Sequence, residues 1–278
     1  MRLHTINAGY LKMDGGAMFG VVPKVLWSRV KEADERNYCT WMMRSLLIEQ
    51  GDRLILVDTG MGDKQSEKFF SHYEPHGPSI TASLAEKGFS RDDITDVFLT
   101  HLHFDHCGGC INKEDDKLVL AFRNATYWCN KEHWQWAVEP NARESASFLK
   151  ENILPIEESG QLKFVDVKEG IAFAKDIHLR FCSGHTRAMM LPQIKYKGET
   201  IVFMADLLPS THHIPLPWIM SYDMFPMDSL KEKETFLKEA LANDFVLYFE
   251  HDPDTECCRL KDTPKGIRAG DGFKISDL

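Results

Sequence analysis

The sequence predicts a mixed fold, α/β or α+β, in which packed sheets carry helices on the outside. Three features predict it: two strand pairs joined at glycine turns, further short apolar strands, and helical patterns lying between the strands. In chain order, Met42–Glu49 and Arg53–Asp58 are apolar runs around Gln50-Gly51-Asp52 and read as a hairpin. Ser79–Lys87 is a helix with Ser79 placed as its N-cap. Val97–Thr100 (VFLT) is a short buried strand, and Thr126–Cys129 is a candidate for another. Ile177–Cys182 alternates (IHLRFC), as a strand with one buried face does. Leu191–Lys197 and Thr200–Ala205 form a second hairpin, with the tight turn set at Gly198-Glu199. Asp228–Ala242 is the strongest helix, with Leu230, Phe236, Leu237, Ala240 and Leu241 on a charged background. Phe245–Phe249 is the last strand. No linker rich in Gly, Ser or Pro parts the chain and no repeat is visible, so residues 1–278 read as one domain.

Composition narrows the function classes. Lys and Arg number 33 against 42 Asp and Glu, a net charge of −9. Phosphate backbones select basic surfaces, so a dedicated nucleic-acid binder is not expected. No apolar run approaches the ~18 residues that a membrane-spanning helix needs. The first twenty residues are broken by His4, Asn7, Lys12 and Asp14 and do not form a secretory h-region. Seven cysteines at irregular spacing do not make a disulfide framework, so reduced thiols in the cytoplasm are expected.

The densest chemistry lies in Thr100–Gly109 (THLHFDHCGG), which reads His101-x-His103-x-Asp105-His106. Imidazole and carboxylate suit zinc, and also iron and manganese. An extended segment after VFLT would set His101 and His103 on one side. Asp105 and His106 lie where the chain turns, so one loop can serve two adjacent metal sites. Gly108-Gly109 allows a tight backbone course. Other strands also end in polar groups: Asp58 after Arg53–Val57, His185 after 177–182, Asp206 after 200–205, and Glu250-His251-Asp252 after 245–249. Such strand ends gather functional groups when they meet at one edge of a fold.

These residues resemble the metallo-β-lactamase superfamily. The resemblance rests on the HxHxDH run, His185 in Gly184-His185-Thr186, Asp206, His251 and the upstream Val57-Asp58-Thr59-Gly60, and it spans about residues 40–251. It implies a four-layer αββα sandwich with two divalent metal ions, zinc first and iron or manganese as alternatives. One ion would take His101, His103 and His185; the other would take Asp105, His106 and His251; Asp206 would bridge them. Asp58 would be a buried carboxylate that supports the ligand loops. Ala205-Asp206 and Phe249–Pro253 look most like the lactonase and methyl-parathion-hydrolase-like branch. Two departures stand out. Pro209 occupies the place where many acyl-homoserine-lactone lactonases have Tyr, and Ala188 the place where relatives often have Gly.

The implied reaction is metal-assisted hydrolysis of a lactone, another carboxylic ester or a phosphotriester, with a hydroxide shared between the metals. Asp105 and Asp206 are the candidate catalytic carboxylates, and Asp105, His213 and Tyr222 the candidate proton donors. Met18, Phe19, His213, Trp218, Tyr222 and Phe225 are candidate walls of a small-molecule pocket, with core packing as the plainer reading of the first two. Cys107-x-x-Cys110 reads as inert thiols rather than a redox pair, and His133 as a surface or satisfied core histidine. Related hydrolases are often homodimers. The rivals are an iron-dependent oxidoreductase of the same fold, an RNA-processing nuclease, and a binding protein without turnover.

Overall fold

A computed structural model describes residues 1–278. The chain opens with β1 (Arg2–Asp14), α1 (Gly15–Phe19), α2 (Lys24–Trp27), β2 (Tyr38–Gln50) and β3 (Arg53–Val57). Next come α3 (Glu67–Phe70), α4 (Ile80–Glu86), β4 (Asp96–Phe98), α5 (Phe104–Cys107), β5 (Ile111–Glu114), β6 (Lys117–Leu120) and β7 (Thr126–Asn130). Then follow α6 (Lys131–Val138), α7 (Lys150–Glu158), β8 (Leu162–Val165), β9 (Ala172–Ala174), β10 (Ile177–Cys182), β11 (Met189–Tyr196) and β12 (Glu199–Phe203). The last elements are α8 (Pro226–Ala242), β13 (Val246–Tyr248), β14 (Cys257–Lys261) and β15 (Arg268–Phe273). The mixture of sheets and helices is the α+β class that the sequence predicts.

The contacts group the chain into two compact units, Met1–Tyr10 with Met43–Val167, and Leu11–Met42 with Lys168–Leu278. The sheet of the first unit runs in the order β1-β2-β3-β4-β7-β8. β2 and β3 pair antiparallel, Leu46 opposite Val57, about a turn in which Gly51 takes a positive φ. β3, β4, β7 and β8 are parallel neighbours, so β4, whose end leads into the HxHxDH loop, is an inner strand. Its core gathers Leu47, Leu56, Val97, Leu99, Phe122, Tyr127, Trp134 and Ile153. Helix α4 begins as predicted, with the Ser79 side chain accepting from the Ala82 N–H.

The sheet of the second unit runs β15-β14-β13-β12-β11-β10-β9. β12 and β13 are parallel, which brings the chain ends before Asp206 and before Glu250-His251 out on the same side of adjacent strands. The second hairpin forms, but its turn is Lys197-Gly198, both at positive φ, rather than Gly198-Glu199. That is the backbone a two-residue hairpin turn takes, and Glu199 is already paired with Tyr196. Helix α8 starts two residues before the predicted Asp228, because Pro226 is acceptable at a first helical position.

No helix is long and apolar enough to cross a membrane. All seven cysteines are buried and none is in a disulfide.

Candidate metal centre

In the first unit, the HxHxDH run is not wholly extended. Phe104–Cys107 forms α5, with His103 as its N-cap residue. The loop is pinned from Asp58, itself at φ 55°. Asp58 accepts from the Thr100 N–H at 2.8 Å, the Thr100 hydroxyl at 2.6 Å and His106 Nδ1 at 3.1 Å. Asp58 thereby holds Thr100 and His106 at the two ends of the loop. The glycines after α5 are needed: a Cβ on Gly108 would lie 2.1 Å from the Met61 carbonyl oxygen, and one on Gly109 2.2 Å from that of Thr59. Burial pushes the Cys107 and Cys110 thiols up, Cys110 to about 12, as inert thiols require.

Each histidine of this loop has one nitrogen committed. The Thr100 hydroxyl gives its proton to Asp58, so it accepts from His101 Nδ1 at 3.0 Å. His103 Nε2 donates to Glu144 at 2.9 Å, and Glu144 is held in turn by Trp136 Nε1 at 2.6 Å. His106 uses Nδ1 on Asp58. The acceptor nitrogens left by this pattern, His101 Nε2 and His103 Nδ1, face one another at 3.1 Å. Two lone pairs at that separation repel unless a cation lies near both. Between His101 and His103 the Leu102 N–H donates to His133 Nε2 at 2.8 Å, so His133 is a satisfied core histidine that also fixes the loop.

The second unit follows the same rule. His185 Nδ1 pairs with Asp223 at 2.9 Å, and His251 Nδ1 donates to the Met42 carbonyl at 2.7 Å. Their Nε2 atoms face the two oxygens of one carboxylate, Asp206, each at 3.1 Å. Burial alone would lower the His185 pKa, but Asp206 and Asp223 raise it to about 10. The electrostatics thus call for a positive charge beside Asp206, and a metal cation meets that need as well as a proton does. The loop before His185 is held by Glu232 of α8, which accepts from the Ser183 and Gly184 N–H groups at 2.8 and 3.0 Å. Histidines with outer nitrogens tied to carboxylates or carbonyls, and inner nitrogens facing one another or a carboxylate, are the arrangement of metal-binding imidazoles. The donor sets of both units therefore fit divalent ions.

Residues 44–251 match the sequence model of the metallo-beta-lactamase superfamily. The chain belongs to that superfamily. Among its relatives, an N-acyl homoserine lactonase of Bacillus cereus is 24% identical over 225 residues, 76% of this chain and 81% of the relative. A probable metal-dependent hydrolase from Staphylococcus aureus, known as a crystal structure, is 30% identical with a TM-score of 0.88, covering 100% of this chain and 98% of the other. A dizinc quorum-quenching lactonase with a bound product shares the fold at 23% identity and a TM-score of 0.79, covering 98% of this chain and 94% of the other. The chain is thus a metal-dependent hydrolase of the superfamily, on its lactonase-like branch, with the metallo-β-lactamase fold.

The candidate wall residues differ in burial. Phe19 stacks on His213 at 5.1 Å and on Trp27 at 5.4 Å, and meets Trp218 edge-on at 5.5 Å. Met18, Phe19 and His213 are buried, Trp218 and Tyr222 half-buried, and Phe225, just before α8, exposed. His213 donates from Nε2 to the Met18 carbonyl at 2.9 Å, so Nδ1 accepts from the Ser210 hydroxyl at 2.8 Å. Burial lowers its pKa to about 3. A ring so engaged and kept neutral is a poor acid, which removes His213 from the candidate proton donors. Sequence reading missed Thr100, Glu144, Asp223 and Glu232, which hold the ligand loops. A buried carboxylate 41 residues from His103 leaves no periodic trace.

Proposed function

We propose that this protein is a dinuclear metallohydrolase that opens small lactones, with other carboxylic esters and phosphotriesters as the neighbouring substrate classes. One observation carries the reading: five imidazoles have their outer nitrogens tied to Thr100, Glu144, Asp58, Asp223 and the Met42 carbonyl. That ordering would serve no purpose in a plain core. The lactonase relatives support the choice of substrate class.

In this reading, His101, His103 and His185 would hold one ion. Asp105, His106 and His251 would hold the other, and Asp206 would serve both. Residues 1–278 then act as one functional domain. When bound, the two ions, zinc by preference, supply Lewis acidity and a nucleophile from water at neutral pH. The protein does the rest. Asp58 and Glu144 fix the imidazole tautomers, so no ligand needs to reorient during turnover. Asp105, ionised as a ligand, would take the proton released by the attacking water and pass it to the departing ring oxygen. Trp218, half-buried against Phe19, takes the substrate's hydrocarbon part. Buried, unbridged thiols support a reducing compartment, the cytoplasm.

The test is metal content of protein purified without added metal, read beside hydrolysis of lactones, aryl esters and phosphotriesters. About two zinc per chain with lactone turnover is expected. A single iron with oxygen uptake and no hydrolysis would move the protein to the oxidoreductases. Asp206→Ala should lose both ions and all turnover; unchanged metal content would reject the bridging assignment.

A further inference from the structure

Helix α8 carries a lysine that the hydrolytic reading does not use. Lys233 is 1% exposed, on the face that also buries Phe236, Leu237 and Ala240. Its Nζ donates to the carbonyls of Pro215 at 2.8 Å, Leu216 at 3.3 Å and Trp218 at 2.9 Å. An ammonium has three protons, and here each has an acceptor. The segment it grips is Ile214-Pro215-Leu216-Pro217-Trp218. Its two prolines supply no N–H, which disfavours pairing as a strand; within it the Trp218 N–H donates to the Pro215 carbonyl at 2.9 Å, and the lysine ties this turn from outside. Burial lowers the Lys233 pKa to about 7, against the pull of the Asp223 carboxylate. A methionine or leucine would fill the same space without that cost, since buried charges are outmatched by apolar packing where only stability counts. What the lysine adds is geometry: three carbonyls fixed to one point.

The gripped segment is docked against α1. Trp218 meets Phe19 edge-on, the Ser221 N–H donates to the Ala17 carbonyl at 2.8 Å, and a Cβ on Gly20 would lie 2.2 Å from the Ile219 carbonyl oxygen. We propose that Lys233 is a positioning residue: by tying the carbonyls of residues 215, 216 and 218 it holds Trp218 against Phe19 and so sets how the enzyme accepts the hydrocarbon part of its substrate. The selectivity part rests on the hydrolase reading above; the clamp itself does not.

The experiment compares wild type, Lys233→Met and Lys233→Arg as metal-loaded full-length proteins. Three readouts are taken: metal content, acrylamide quenching of Trp218 assigned by difference against Trp218→Phe, and kcat and KM for an N-acylated lactone and for the bare ring γ-butyrolactone. Lys233→Met is expected to keep both metals and to increase Trp218 quenching. Its KM for the acylated lactone should rise about tenfold, the weight of one or two lost charged hydrogen bonds, with the bare ring and kcat little changed. Lys233→Arg should recover part of each effect. Unchanged Trp218 quenching would overturn the clamp. Raised quenching with KM shifted equally for both lactones would reduce it to a structural support. If Lys233→Met does not fold, Lys233→Gln, which keeps two N–H donors, decides on the same readouts. Wild type inactive on every lactone would sink the function and the selectivity with it, while the quenching still tests the clamp.

Discussion

Ala188, two residues after Thr186, sits at φ 52°, in the left-handed region where a Cβ crowds the carbonyl. Its N–H still reaches the Ser183 hydroxyl at 3.2 Å, so the loop around His185 keeps its course at the cost of strain in one residue. Ala188→Gly should therefore stabilise the metal-loaded protein by about 1 kcal/mol, read as a higher urea midpoint at unchanged slope. A lower midpoint would show that the alanine methyl is worth more in packing than its φ costs. Glu144 poses the complementary case, since it touches no proposed metal but fixes His103. Glu144→Gln can still accept from His103 Nε2 but loses the charge that makes the imidazole a stronger donor. Zinc affinity by competitive chelation should fall about 10–100-fold, the usual cost of such outer partners. At this scale the candidate ligands stand in a pattern the sequence shows, and their hydrogen-bond partners do not. HxHxDH is a local pattern, whereas Glu144 and Asp223 meet His103 and His185 only through the tertiary path.

Strands β3, β4 and β7 are tied by one side chain. Asp96 on β4 accepts from Arg53 of β3 through Nε at 3.0 Å and Nη2 at 2.7 Å, and from Trp128 Nε1 of β7 at 2.7 Å. Burial alone would raise its pKa, but Arg53, Thr95 and Trp128 together lower it. A carboxyl whose folded pKa lies below its unfolded value stabilises the fold above the unfolded pKa, and that contribution is lost as pH falls through the folded one. Asp96→Asn should thus cost about 3 kcal/mol at pH 7, the order found when one partner of a buried pair is removed. The gap to wild type should close on acidification below about pH 4. A gap independent of pH would assign the loss to geometry rather than charge. The elements themselves were legible where periodicity was clean: both hairpins, α4 and α8 lie where the sequence predicts them. β1 escaped because its buried positions, Leu3, Ile6, Gly9 and Leu11, do not alternate. α7 is hard to read because Pro155 lies inside it. The short α5 interrupts what reads as an extended metal loop, since four residues between His103 and Gly108 are too few to show a helical period.

The proposed ligands, His101, His103, Asp105, His106, His185, Asp206 and His251, are spread over residues 101–251 of the chain, so metal binding and global stability should be coupled. Ions that bind the folded chain and not the unfolded one add about 4 kcal/mol per site at a thousandfold excess over Kd. A chain of this size moves its Tm by about 2–4 °C per kcal/mol. Removing the ions by chelation should then lower the Tm by roughly 10 °C or more, with zinc restoring it. The direction is not obvious from the fold alone, because without the ions His185 can still be held between Asp206 and Asp223 as an imidazolium. That substitute charge is a proton, so the chelated protein should lose further stability as pH rises toward 10, where His185 gives it up, while the loaded protein should not. Scanning calorimetry of the loaded protein should show one cooperative transition. Two separable transitions, each lowered by chelation on its own, would mean that the two ions are held independently and that no single carboxylate serves both.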